Sequence, residues 1–312
     1  MRFFAALLMM VQAAWPVSMM FWNLENFFDY TDGGSGVSDA EFSSRGARHW
    51  TKRRFLAKCD AIAKSVYWIG DGYGGLPDLF AMAEVENRNA LSKLLSESLL
   101  RKQDYEIVHF DSPDHRGIDV ALLYRRSRLR LFSSRPVHVP GLETRDILLA
   151  EFSPAGEGEK GRLAVLVCHF PSKYGGPGTE GKRMTVARRL LSLADSLSAA
   201  GIPAVAAGDF NDVPSSEPCR MLEPSLVNLA EPLARRGLGT IRFDGRWELI
   251  DMFMVSPDLA PDASMEIVRL PFLTVRDGTH SGEKPLRTYS GPRYVGGVSD
   301  HRPVLLRLQV PW

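Results

Sequence analysis

The chain has 312 residues, 45% of them hydrophobic and 24% charged, enough for one large domain or two ordinary ones around a substantial core. A formal net charge of +1 excludes a global attraction to nucleic acid or membrane, so a polyanion would have to be held by a local patch. Three cysteines, Cys59, Cys168 and Cys219, form no metal-type spacing, and the odd count leaves at least one unpaired; buried free thiols are the expectation.

Arg2 precedes an apolar run over residues 3–15, followed by Pro16, Val17 and Ser18. That pattern predicts a signal peptide over residues 1–18, cut near Ala13–Ala14 or Ser18, and hence export to the periplasm or the extracellular space. The competing reading is a hydrophobic first strand merging into residues 19–24. The run is too short for a transmembrane helix, which needs about 20 residues, and no cysteine follows it to suggest a lipoprotein anchor.

Residues 19–24 read as a strand, and the Gly-, Ser- and Asp-rich stretch 31–44 as a loop. Apolar residues recur at three and four over 47–69, predicting an amphipathic helix whose basic start, 45–54, reads most simply as a solvated face. A strand at 79–85, a helix at 89–100 and strands at 105–110 and 118–124 follow. Arg125, Arg126, Arg128 and Arg130 suggest a strand edge protected by charge. Further strands are predicted at 145–152, 163–170, 202–208, 248–255 and 303–310. A helix is predicted at 183–199, a short helical segment at 214–222 and a long polar loop at 277–297. There is no internal repeat and no long linker, so a single α/β domain over 19–312 is expected, acting as a monomer.

Polar residues fall where apolar strands end, which is where open α/β sheets place their sites: Asn23, Glu84 or Glu86, His169, Asp209 with Asn211, Asp251, and Asp300 with His301. Asp209 and Asn211 project to one side of extended backbone and could hold a water and a phosphoryl oxygen together. Oxygen-rich, thiol-free ligands suit a hard divalent cation such as Mg²⁺. Asp300 and His301 are adjacent, so both face one site only if the backbone there is irregular, as Gly296, Gly297 and Pro303 permit. Asp251 would orient His301 and raise its pKa.

Taken in order, Asn23-Leu-Glu-Asn, Glu84-Val-Glu-Asn, Asp119-Val-Ala-Leu-Leu-Tyr, Cys168-His-Phe-Pro-Ser, Gly208-Asp-Phe-Asn, Leu249-Ile-Asp-Met-Phe and Ser299-Asp-His-Arg-Pro resemble the endonuclease/exonuclease/phosphatase superfamily, and most of all its secreted bacterial nucleases. The resemblance implies a four-layer α/β sandwich, two packed mixed β-sheets flanked by helices, and Mg²⁺- or Mn²⁺-dependent hydrolysis of phosphate esters. It implies that Asn23, Glu84 and Asp300 serve the metal, and that Asp209 orients or deprotonates the attacking water. Asn211 would hold that water and a phosphate oxygen, His169 would donate to the phosphate, and His301, held by Asp251, would act as base or as cationic stabiliser. Ala83 stands where many members have Gln, and Glu86 shares the strand face of Glu84, so it is a second candidate ligand.

A secreted nuclease acting on DNA or RNA is the leading expectation, with Arg48, Lys52, Arg53, Arg116 and Lys173 as a phosphate-binding rim. A phosphatase or phosphodiesterase on inositol phosphates or phospholipid head groups would use the same core. A catalytically inactive binding module on the same fold is the third reading.

Overall fold

Two stretches of the chain repeat one arrangement, an apolar strand, an amphipathic helix and a second apolar strand, and each forms the centre of a sheet. The computed structural model describes residues 14–156, 161–174 and 176–312. In chain order the sheet strands are β1 (Ala14–Phe27), β2 (Leu79–Val85), β3 (Tyr105–His109), β4 (Asp119–Arg125), β5 (Leu129–Val137), β6 (Ile147–Pro154), β7 (Leu163–His169), β8 (Ala204–Asp209), β9 (Val227–Asn228), β10 (Asp251–Val255), β11 (Ser264–Ile267) and β12 (Val304–Pro311). The longer helices are α1 (Lys52–Gly72), α2 (Arg88–Glu97) and α3 (Glu180–Ala199).

One six-stranded sheet runs β11-β12-β1-β2-β4-β3 and the other β5-β6-β7-β8-β10-β9. Each has one parallel pair, β1 with β2 and β7 with β8, joined by the crossover helices α1 and α3. The remaining neighbours are antiparallel. This is the expected four-layer α/β sandwich of two packed mixed sheets.

Side chains that alternate along a strand face opposite layers. Met19 and Phe21 of β1, with Leu79 and Ala81 of β2, join the core shared with the second sheet and α3. Met20 and Trp22, with Phe80 and Met82, pack instead with the buried face of α1, including Phe55, Ile62 and Val66. Both faces of the central strands are therefore buried, which explains their unbroken apolar sequence. Each fully buried Leu or Phe contributes about 1.5–3 kcal/mol over exposure.

Several boundaries differ from the sequence-based expectation for local reasons. α1 starts at Lys52 rather than near residue 47, because His49 has φ +47° and Thr51 caps the helix, accepting from the Arg54 amide at 3.4 Å. The basic start is not merely a solvated face: Trp50 is fully buried and its Nε1 donates to the Phe28 carbonyl at 2.8 Å. The charged stretch after β4 leads into β5, the edge strand of the second sheet. All three cysteines are free and buried.

The run read as a signal peptide lies, up to residue 13, outside the described residues. β1 begins at Ala14, and residues 14–18 pair in register with Pro311 back to Arg307 of β12. Among the described residues, no helix is long and apolar enough to cross a membrane.

Candidate active site

The parallel pairs of the two sheets end at the same side of the sandwich, and the polar strand ends meet there. In the second sheet His169 pairs with Asp209 across β7 and β8, and Asp209 pairs with Asp251 across β8 and β10. Residues directly opposite on neighbouring strands project to the same face. The row His169, Asp209, Asp251 is thus fixed by strand register alone.

The first sheet reaches this row through irregular backbone. Its β1–β2 register shifts between Asn23 and Phe27, and the β2–β4 register shifts between Ala83 and Val85. Glu84 sits in that bulge with φ +59°, a left-handed conformation that a residue with a Cβ adopts at a cost of about 1–2 kcal/mol. Asn211, just past β8, also has a positive φ, +49°. Strain of this kind collects where geometry serves a site.

The two sheets are tied by the Asn23 carboxamide, whose Nδ2 donates to Asp209 Oδ2 at 3.0 Å and lies 3.5 Å from Glu84 Oε1. Its Oδ1 accepts from the Glu25 amide at 2.9 Å. Glu84 Oε2 accepts from the Asn26 amide at 2.8 Å and lies 3.7 Å from Arg116 Nη2. Asp209 Oδ1 accepts from the Asn211 amide at 2.8 Å, and Asn211 Nδ2 donates to the Phe170 carbonyl at 2.9 Å.

His301 precedes β12 at an isolated β-bridge to Ile241, outside the regular strands. Its amide donates to Ser299 Oγ at 2.9 Å, Ser299 Oγ donates to the Asn23 carbonyl at 2.6 Å, and its own carbonyl accepts from Trp22 Nε1 at 2.9 Å. The ring is held by Asp251 Oδ2 at 2.8 Å from Nδ1, which leaves Nε2 facing Asp209 Oδ2 and Asp300 Oδ1, each at 3.9 Å. Burial opposes a charge on this imidazole, but Asp251, Asp209 and Asp300 outweigh it and hold its pKa well above the usual range. Burial and the neighbouring Asp251 push Asp209 up to about 7, against the pull of His301 and the Asn23 and Asn211 hydrogen bonds.

His169 is the opposite case. Burial, then the cations Arg145, Arg116 and His301, hold it well below the usual histidine range, so its ring is neutral. Its Nε2 lies 3.6 Å from Asp209 Oδ2, and its buried Nδ1 has no hydrogen-bond partner among the described residues.

All eight predicted residues therefore converge: Asn23, Glu84, His169, Asp209, Asn211, Asp251, Asp300 and His301. Glu86 does not join them. The bulge at Glu84 breaks the two-residue alternation, and Glu86 turns away to accept from the Asp29 amide at 2.6 Å and the Ser35 hydroxyl at 2.9 Å. Of the expected rim, Arg116 reaches Asn26 and Glu84, while Lys173 pairs with Glu248 at 2.9 Å; Lys52 and Arg53 are simply exposed. Sequence reasoning missed Arg145, which is buried and donates to Asp114 at 2.9 Å and to the Phe170 carbonyl at 2.8 Å. An arginine heading an apolar strand was its only signal. It also missed Ser299 and Arg287, whose Nη2 lies 3.1 Å from Asp300 Oδ2.

Asp209, Asp251 and His301 offer atoms within 4.8 Å of one another and could be taken for a metal trio. In that trio Asp251 Oδ2 is taken up by His301 Nδ1 at 2.8 Å and all three residues are buried, whereas a hard cation such as Mg²⁺ keeps several waters. Glu84 and Asp300, from separate elements and with side chains partly open to solvent, could hold a hydrated hard cation, with Asn23 beside Glu84 through its Nδ2 and its Oδ1 engaged by the Glu25 amide.

A two-sheet sandwich carrying this strand-end site is a phosphoesterase fold. The chain belongs to the Endonuclease/Exonuclease/phosphatase family, whose model matches residues 18–310. Among solved structures, truncated TDP2 from Caenorhabditis elegans is similar at a TM-score of 0.61 and 15% identity, covering 95% of this chain and 98% of that one. The catalytic domain of human Nocturnin, with a bound sulfate anion, is similar at 0.57 and 17%, covering 95% of each chain. The mannosyl-6-phosphatase Bt3783 of Bacteroides thetaiotaomicron is similar at 0.58 and 16%, covering 94% and 99%. No curated protein is significantly similar in sequence.

Proposed function

We propose that the protein is a divalent-metal-dependent phosphodiesterase, and specifically a nuclease. The observation that carries the hydrolytic reading is the Asn23–Asp209 hydrogen bond, 3.0 Å long, which brings an acidic metal side on one sheet against an acid–base row on the other. Asn23, Glu84 and Asp300 would hold the cation, which supplies Lewis-acid stabilisation of charge on the phosphate and the leaving oxygen.

The chain's own residues do the rest. Asp209, fixed by the Asn211 amide and the Asn23 carboxamide, takes the proton of the attacking water as its oxygen bonds to phosphorus and the ester P–O bond breaks. His301, kept protonated by three carboxylates, donates from Nε2 to a phosphoryl oxygen. His169, uncharged, donates to the same phosphate. Between the two roles left open by the sequence for Asp209 and His301, this geometry favours Asp209 as base.

A nuclease is favoured over a small-ester phosphatase by the open depressions on both sides of Arg287, whose linings include Arg48 and Tyr289 on one side and Lys284, Arg293 and Tyr294 on the other. The test is release of products from plasmid DNA and from RNA, with Mg²⁺ or Mn²⁺ and with chelator, alongside His301→Ala. Metal-dependent cleavage by the wild type alone supports the reading; intact DNA and RNA alongside hydrolysis of inositol phosphates would replace nuclease with phosphatase.

Export is part of the proposal. Because residues 14–18 pair with β12, cleavage next to Ala13 keeps that pairing and cleavage after Ser18 removes it. Sequencing the N-terminus of secreted protein should find Ala14; an uncut, cytoplasmic chain would sink export.

A further inference from the structure

Beside the metal side of the site lies a cavity of about 230 Å³ whose lining includes Glu25, Asn26, Phe42, Arg48, Arg287 and Tyr289. Its walls touch each residue assigned to the cation. The Asn26 amide donates to Glu84, the Glu25 amide donates to Asn23, and Arg287 pairs with Asp300. A group attached next to a phosphate held at that centre would enter this cavity.

Two guanidinium groups are fixed on its lining. Arg287 Nε donates to Glu25 Oε1 at 2.8 Å, while Glu25 Oε2 accepts from the Thr288 amide at 3.0 Å. Both oxygens of the one lining carboxylate are thus engaged in orienting its surroundings. Arg48 Nε donates to Glu41 at 2.6 Å and Nη1 to the Gly291 carbonyl at 2.7 Å. Its guanidinium lies 5.6 Å from the Phe42 ring centre and 5.4 Å from that of Tyr289. The Tyr289 hydroxyl in turn donates to the Arg48 carbonyl at 2.9 Å. Neither arginine is spent on burial: the Arg48 side chain is 29% exposed and that of Arg287 50%. A guanidinium pre-oriented in this way loses little entropy on pairing with phosphate, which its planar fork matches bidentately.

We infer that this cavity is a second phosphate subsite, in which Arg48 and Arg287 hold the phosphate neighbouring the one under attack. The inference rests on the phosphoesterase reading and narrows it. The substrate carries at least two phosphates, whether along a nucleic-acid strand or around a polyphosphorylated small molecule. Single-phosphate esters are poorer substrates because half of the recognition goes unused.

The test compares substrates that differ by one phosphate, the thymidine dinucleotide dTpdT against dTpdTpdT, and an inositol monophosphate against the bisphosphate, all with Mg²⁺. Wild type should prefer the longer member of one pair, which identifies the source. Arg48→Gln should cut that preference about tenfold, mainly through KM, and Arg48→Lys should recover part of it. Arg126→Gln, which removes a largely exposed charge just past β4, serves as the control. A preference that is absent, or equal in Arg48→Gln and wild type, overturns the subsite. Binding of dTpdTpdT and inositol bisphosphate in EDTA is measured in parallel. If nothing is hydrolysed, the phosphoesterase reading fails, and the subsite then stands on about tenfold weaker binding by Arg48→Gln and falls if binding is equal.

Discussion

Among the described residues, two groups of one histidine and two carboxylates, Asp209–Asp251–His301 and His109–Asp111–Asp119, offer ligand atoms within 4.8 Å of one another. The inventories match, but the surroundings differ. His301 is locked to Asp251 at 2.8 Å, and both its carboxylates are buried. His109 lies 3.3 Å from Asp119 and 3.9 Å from Asp111, whose side chain is 89% exposed. Asp119 divides its oxygens, Oδ1 accepting from the Ser112 amide and hydroxyl and Oδ2 facing His109. The first cluster stands at the ends of central parallel strands, where the opposite sheet brings Asn23. The second joins two antiparallel neighbours of one sheet, β3 and β4. Convergence of elements from both sheets, not residue type, separates the candidate site from the second cluster.

The sharpest way to break this contrast is metal removal. Chelation should abolish phosphodiester hydrolysis and added Mg²⁺ or Mn²⁺ restore it; Glu84→Gln should raise the metal concentration giving half-maximal rate, whereas Asp111→Ala should not. Next in size, Asp209→Asn and His301→Ala should each lower kcat/KM by about 10²–10⁴-fold in steady-state assays, with His109→Ala at the wild-type value. Equal losses in His109→Ala would erase the distinction. Asp251→Asn, which leaves His301 present but poorly oriented, should cost about 10–100-fold.

The smallest effect is on stability. Burial raises Asp119 above its ordinary value of 3.8, its hydrogen bonds only partly opposing this. The folded state therefore holds its proton more tightly than the unfolded chain. That contribution is fully present below pH 3.8 and lost as pH rises through the folded value. Asp119→Asn should shift stability by about 1 kcal/mol or less, with its advantage over wild type greatest near pH 7 and shrinking in acid, as followed by thermal melts.

Much of this was legible in the chain. An apolar run ending in Gly208-Asp209-Phe-Asn211 reads as a strand delivering two polar groups; the strand delivers Asp209, while Asn211 lies just past it in left-handed backbone, φ +49°, and not in the extended conformation expected. Period-two reasoning failed at Glu84 and Glu86, because a bulge with a left-handed residue resets the alternation and sequence shows no glycine to announce it. Arg145 stayed hidden since charge ordinarily signals exposure. Arg48 and Arg287 are far apart in sequence, and only the turn of the late ribbons (residues 283–294) brings them to one cavity.

The pairing of Ala14 with Pro311 has a consequence in time. Asp300 and His301 immediately precede β12, the strand that closes the first sheet against β1. A ribosome must therefore reach residue 311 before β1 gains the whole of this partner. Until then the strand-end cluster lacks Asp300 and His301, and the two-sheet site is incomplete.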